Sequence, residues 1–126
     1  MKIAIATRRF ARIARHAGQT RDWLLFDCAN SAIPEPVRIT LTQAQLPHHF
    51  RDDGPHPLDG TDIIVAGSAG DGFVRRMAKR GTRVMITAER DPKTAAEKLA
   101  TGTPLAPPGV NPLAFLCKIH DLFSKH

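Results

Sequence analysis

Residues 64–87 read IVAGSAGDGFVRRMAKRGTRVMIT, and the fold turns on how this stretch is understood. An apolar run through Ala66 fits a buried strand, predicted over residues 62–66. Glycines at 67, 70 and 72 break the run, and residues 72–80 then take up helical periodicity. Phe73, Val74, Met77 and Ala78 fall on one half of that helix, and Arg75, Arg76, Lys79 and Arg80 on the other. After Gly81 the chain is apolar again over residues 83–87, a second strand. Strand, helix, strand at these lengths is a βαβ unit, whose two strands run parallel with a right-handed crossover.

Working outward, residues 2–6 (KIAIA) and 23–28 (WLLFDC) are short and β-compatible. Residues 36–42 alternate, with Val37, Ile39 and Leu41 on one side and Arg38, Thr40 and Thr42 on the other, as a strand with one wet face does. The connector 29–35 suits an antiparallel hairpin between these last two. Residues 43–60 are polar and broken by Pro47, Gly54, Pro55 and Pro57, which leaves room for at most a short helix and a loop. Asp91-Pro92 is an N-cap followed by proline at the first helical position, opening a helix to about residue 100. A proline-rich linker, 103–109, leads to a last amphipathic helix in which Phe115, Leu116, Ile119, Leu122 and Phe123 share one arc. That helix is expected to dock on the sheet. Early antiparallel strands and a late βαβ unit predict a three-layer α/β domain: a mixed β-sheet with helices on both faces.

A chain of 126 residues supports one domain, and 42% apolar with 24% charged residues is a globular composition. No apolar run approaches the roughly 18 residues of a membrane span, and MKIAIATRR lacks the apolar segment of a signal peptide, so a cytoplasmic protein is expected. Cys28 and Cys117 lack CxxC spacing and lie in apolar stretches, which predicts two buried thiols and no metal site built from cysteine alone. Eighteen Lys and Arg against twelve Asp and Glu give +6, which favours an anionic partner without naming it.

The spacing G-x-x-G-x-G at 67–72 is neither a dinucleotide fingerprint nor a P-loop. Two readings stay open for it. Backbone N–H groups at the start of a helix stabilise an anion, or the glycines only let the turn close against the sheet. The cationic half of the following helix is either a solvated face or a docking surface for an acidic protein or nucleic acid. Among the histidines, His16 sits in RHAGQTRD, and His48, His49 and His56 crowd the loop LPHHFRDDGPHP. Imidazole ligates transition metals without thiolates, so the loop trio is a candidate to hold a metal or one vertex of a cluster. The trio fits no zinc spacing, and solvated histidines are the alternative. No nucleophile elbow surrounds Ser31, Ser68 or Ser124, and no paired carboxylates stand where two-metal hydrolysis needs them.

Three segments occur in order: MKIAIAT at 1–7, RHAGQTRDWLLFD at 15–27 and HPLDGTDIIVAGSAGDGFVRRMAKRGTRVMIT at 56–87. Together they resemble the dinitrogenase iron-molybdenum cofactor biosynthesis family, nitrogenase accessory factors that include small cofactor carriers and the C-terminal domain of the cofactor-precursor synthase. The likeness spans residues 1–102, and 103–126 lie outside it. His16, Gly18 and residues 23–27 match the family's His-aromatic-Gly element and following strand, with Ala17 in place of the aromatic. Residues 62–67, Gly70, Gly72 and Gly81 match its Asp-led strand, glycine turn and helix, with Ser68 where a second glycine is frequent. The resemblance implies a ribonuclease H-like fold and a protein without catalysis. Its implied role is to bind an iron-sulfur or iron-molybdenum cofactor, or a precursor, for transfer to nitrogenase or cofactor-assembly proteins. His16 is the implied ligand, and Gly18, Gly67, Ser68, Gly70, Gly72 and Arg75 are expected around the anionic cluster.

Overall fold

A computed structural model describes residues 1–29, 32–47 and 54–108. The first strand, β1 (Lys2–Arg8), is buried from Ile3 through Thr7, so both of its faces are covered and it is the centre of the sheet. It pairs antiparallel with β3 (Asp22–Asp27), from Lys2 opposite Asp27 to Thr7 opposite Asp22. On its other side it pairs parallel with β5 (Ile63–Ala66), Ile3 opposite Ile63 and Ile5 opposite Val65. A two-residue strand, β2 (Arg12–Ile13), folds back on the end of β1. The outer strands are β4 (Val37–Thr40), antiparallel to β3, and β6 (Arg83–Ile86), parallel to β5. The sheet is thus mixed, in the order β4-β3-β1-β5-β6 with β2 beside β1.

Strand alternation divides the core into two layers. Ala4, Ala6, Trp23, Ile64 and Ala66 face helix α1 (Asp71–Lys79), which contributes Phe73 and Met77. Ile3, Ile5, Leu24, Phe26 and Val65 face helix α2 (Pro92–Ala100), which contributes Ala95, Ala96 and Leu99. The two helices therefore cover opposite faces, as the sequence predicts. The buried Trp23 indole donates to Thr20 O at 2.9 Å, so its one polar atom is satisfied. Asp91 caps α2 by accepting from Thr94 N at 2.9 Å, with Pro92 in the first turn.

Three details differ from the sequence reading. β2 is absent from it, because two residues carry no periodicity. Val37 is 60% exposed although Leu41 on the same face is buried, since β4 is an edge strand covered only towards its end. The start of the proline-rich segment is fastened to the sheet: Thr87 Oγ1 and Ala88 N both donate to Ala106 O, at 2.8 and 3.2 Å. The predicted helix over 111–126 lies outside the described residues. Among those described, no helix is long and apolar enough to cross a membrane.

Candidate functional site

The parallel strands β1, β5 and β6 end together at Arg8, Ala66 and Ile86, and a groove of about 810 Å³ opens there, bordered by Thr7, Gly67 and Thr87. The carboxyl ends of parallel strands are where open α/β sheets place their ligands. Six arginines line the groove: Arg8, Arg9, Arg12, Arg15, Arg21 and Arg90. Its two carboxylates do not balance them. Glu89 is ion-paired with Lys98, and Asp22 accepts from Thr40 Oγ1. Among the described residues none of the six guanidiniums has an ion-pair partner. Cations gathered in a concave surface in excess over its counter-charges focus a positive potential and raise the local concentration of anions.

The chain delivers these arginines through a strained turn. Ala11 N donates to Arg8 O at 3.1 Å, closing a turn whose central residues, Arg9 (φ 55°) and Phe10 (φ 62°), are both left-handed without being glycine. Each such residue costs about 1–2 kcal/mol. Thr7 Oγ1 offsets part of this by accepting from Phe10 N at 3.1 Å while donating to Asp22 O at 2.7 Å. The Phe10 ring packs against the α2-side core and lies 4.9 Å from the Arg38 guanidinium carbon. Arg90 is joined to this wall by its carbonyl, which accepts from Ile13 N at 2.8 Å.

Beyond β2 the chain passes between two strand ends. Ala14 N donates to Ala6 O at 2.7 Å, and Ala14 O accepts from Gly67 N at 2.8 Å. A Cβ on Gly67 would stand 3.0 Å from Arg15 Cα and 3.1 Å from Ala14 O, so glycine is required here by close approach of two backbones. Next along both segments, Ala17 N donates to Ser68 O at 3.1 Å, and the His16 Nδ1 lies 2.9 Å from Ser68 Oγ. Ser68 Oγ also donates to Arg15 O at 2.6 Å. His16 is exposed on the groove wall, and its Nε2 has no hydrogen-bond partner among the described residues.

The predicted site residues separate into two groups. His16 and Gly67 line the groove, Ser68 touches His16, and Gly18 lies in the 3-10 turn Ala17–Gln19 that follows it. Gly70, Gly72 and Arg75, at the start of α1, do not line it. Gly70 has an ordinary φ of −71°, and a Cβ on either glycine would meet nothing within 4 Å. Only Gly67 of the three is demanded by packing.

His56 lies in a different cleft, with Phe73, Arg76 and Arg80. Its Nδ1 accepts from Leu58 N at 3.1 Å and its Nε2 reaches Gln45 O at 2.6 Å, so both ring nitrogens are engaged in holding the loop. His48 and His49 lie outside the described residues. Among the described residues no group of three or more His, Cys, Asp or Glu is placed to hold a metal ion. Cys28 is buried and away from the groove; burial, reinforced by Asp27 and opposed by the N-terminal charge, pushes its thiol pKa up.

The cationic half of α1 is also divided. Arg76 donates to Pro47 O at 3.2 Å, and Arg80 donates to Gly54 O at 3.2 Å and pairs with Asp59 at 2.5 Å. Burial alone would raise the Asp59 pKa, but hydrogen bonds from the Arg80 guanidinium and the His56 backbone N–H, with the positive charge of Arg80, bring it below the usual carboxylate range. Arg75 and Lys79 remain exposed. The sequence reading singled out Arg75 and its α1 neighbours, none of which lines the groove. The stretch TRRFARIARHAGQTRD, 7–22, holds five of the six groove arginines in plain view, and strand topology adds Arg90.

The sequence profile described as dinitrogenase iron-molybdenum cofactor matches residues 1–102. Among solved structures, the crystal structure of PH0822 is similar, with a TM-score of 0.68 and 14% identity over 85% of this chain and 96% of that one. A Methanocaldococcus jannaschii protein with a provisional dinitrogenase assignment gives 0.64 and 11%, over 81% and 89%. The apo form of the orange protein from Desulfovibrio gigas gives 0.58 and 14%, over 87% and 96%. At these identities the likeness concerns the fold. No curated protein sequence matches the chain.

Proposed function

The chain belongs to the dinitrogenase iron-molybdenum cofactor family, and from that premise we propose that it is a non-enzymatic cytoplasmic carrier. Its cargo is an anionic iron-sulfur or iron-molybdenum cluster, or a precursor of one, passed on to nitrogenase or a cofactor-assembly protein. The observation that carries this reading is the groove of six arginines without ion-pair partners among the described residues, set around one exposed histidine.

The donor set suits a cargo held reversibly. Guanidinium groups present several N–H donors in a rigid fork and keep their charge at any physiological pH, so they bind anionic sulfide or oxygen ligands without being displaced by protons. The Nε2 of His16 supplies one coordinating nitrogen. Among the described residues no thiolate joins it, since Cys28 is buried elsewhere and Cys117 lies outside them. One imidazole and several charge-assisted hydrogen bonds make a complex that an acceptor with more ligands takes over. The other partner class, an acidic protein or nucleic acid on α1, has only Arg75 and Lys79 exposed for the purpose, because Arg76 and Arg80 are bonded to the loop.

The reading is tested by anaerobic titration with a synthetic anionic [4Fe–4S] cluster carrying exchangeable thiolates. Saturable 1:1 binding to the wild type is expected, weakened about tenfold or more in His16→Ala, with the melting temperature unchanged. Absence of saturable binding to the wild type overturns the proposal.

A further inference from the structure

We propose that Ser68 is a positioning residue that fixes the neutral tautomer of His16, keeping its proton on Nδ1 and its lone pair on Nε2, towards the groove. A serine hydroxyl has one hydrogen and two acceptor lone pairs. The Arg15 carbonyl can only accept, and at 2.6 Å from Ser68 Oγ it takes that hydrogen. The second contact of the same oxygen, His16 Nδ1 at 2.9 Å, must then be supplied with its proton by the ring. Nδ1–H donates to Ser68, and Nε2 is left as the basic nitrogen. A hydrogen bond at one imidazole nitrogen is the usual device for deciding which nitrogen ligates.

The relay is anchored in the backbone. Arg15 follows Ala14, which is bonded on one side to Ala6 O and on the other to Gly67 N, and Ser68 O accepts from Ala17 N. The acceptor end, Arg15 O, is within 3.2 Å of where a Gly67 Cβ would stand, so the missing side chain at 67 lets the carbonyl reach Ser68. His56 is the internal contrast. Its Nδ1 accepts from Leu58 N, so its proton sits on Nε2, facing Gln45 O, and no lone pair is free. One chain therefore holds one histidine poised to ligate and one committed to structure, in opposite tautomers.

The tautomer follows from the hydrogen bonds alone; its use in holding a cluster rests on the carrier reading above. The test is long-range ¹H–¹⁵N correlation on protein labelled at histidine, at about pH 8.5, above the ordinary imidazole range, with His16 and His56 assigned from single variants. His16 is expected as the Nδ1–H form and His56 as the Nε2–H form. Ser68→Ala should move His16 away from the Nδ1–H form, and Ser68→Thr should restore it, with amide spectra confirming the fold in each. Affinity for the synthetic cluster should fall about tenfold or more in Ser68→Ala and recover in Ser68→Thr. A wild-type His16 in the Nε2–H form, or one indifferent to Ser68→Ala, overturns the inference. A shifted tautomer with unchanged cluster affinity overturns Ser68's role in binding. An Nδ1–H form as stated, in a wild type that does not bind cluster, removes the carrier reading and leaves the tautomer standing.

Discussion

Gly67 and Arg9 are both constrained in their backbone, but in different ways. At Gly67 the obstacle is another backbone: an added Cβ meets Arg15 Cα and Ala14 O, neither of which is a flexible side-chain end. Gly67→Ala should therefore lower stability by about 1–3 kcal/mol, the usual cost of overpacking, as a fall in chemical denaturation midpoint. Gly72→Ala should raise it slightly, because that position is the second residue of α1, has open space and gains helix propensity. At Arg9 the strain is conformational, with φ 55°. Arg9→Gly should stabilise the fold by about 1 kcal/mol and weaken anion binding, because it removes one groove cation. A variant that lost stability would show the left-handed turn to be held by the arginine side chain itself. His16 and Gly67 were singled out in the sequence by the family resemblance and by a strand closed by a glycine, and both line the groove. The groove arginines were not, because five of them sit in irregular text between strands, where charge ordinarily means solvation.

Elements were legible wherever a period was long enough to show. The βαβ unit and the hairpin of β3 and β4 agree with the pattern, as does α2 from its Asp-Pro start. The described residues of the stretch before β5, 43–47 and 54–60, were opaque because side chains hold them mostly over long range: His56 to Gln45 O, Arg76 to Pro47 O, Arg80 to Asp59 and Gly54 O, with a local bond from Leu58 N to His56. These bonds predict a pH response. The Asp59 pKa is lowered in the fold, so its carboxylate adds stability that is present above the unfolded carboxylate value, near 3.9. That contribution is lost as pH falls through the lower folded value. Amide exchange over residues 54–60 should thus accelerate relative to the core in acid below about pH 4, and Asp59→Asn should show the faster exchange already at neutral pH. Identical exchange in the two proteins at neutral pH would mean that the pair with Arg80 does not hold the loop.

At the scale of the whole molecule, topology assembles what sequence distance hides. β2 and the segment after it lie across the ends of β1 and β5, so residues 8–21 meet Gly67 and Arg90 in one groove at the carboxyl ends of the parallel strands. The mixed sheet with a helix on each face was readable from strand count and order; this convergence was not, since it depends on a two-residue strand and on hydrogen bonds of Ala14. The central claim is that the working surface is this groove and not the exposed side of α1. Titration of the synthetic [4Fe–4S] cluster against Arg12→Glu/Arg15→Glu and against Arg75→Glu/Lys79→Glu tests it most directly, because both pairs change net charge equally. The groove pair should lose affinity by about tenfold or more, roughly 1.4 kcal/mol, while the helix pair stays within about twofold of wild type. Equal losses in both variants, or a larger loss in the helix pair, would contradict the account.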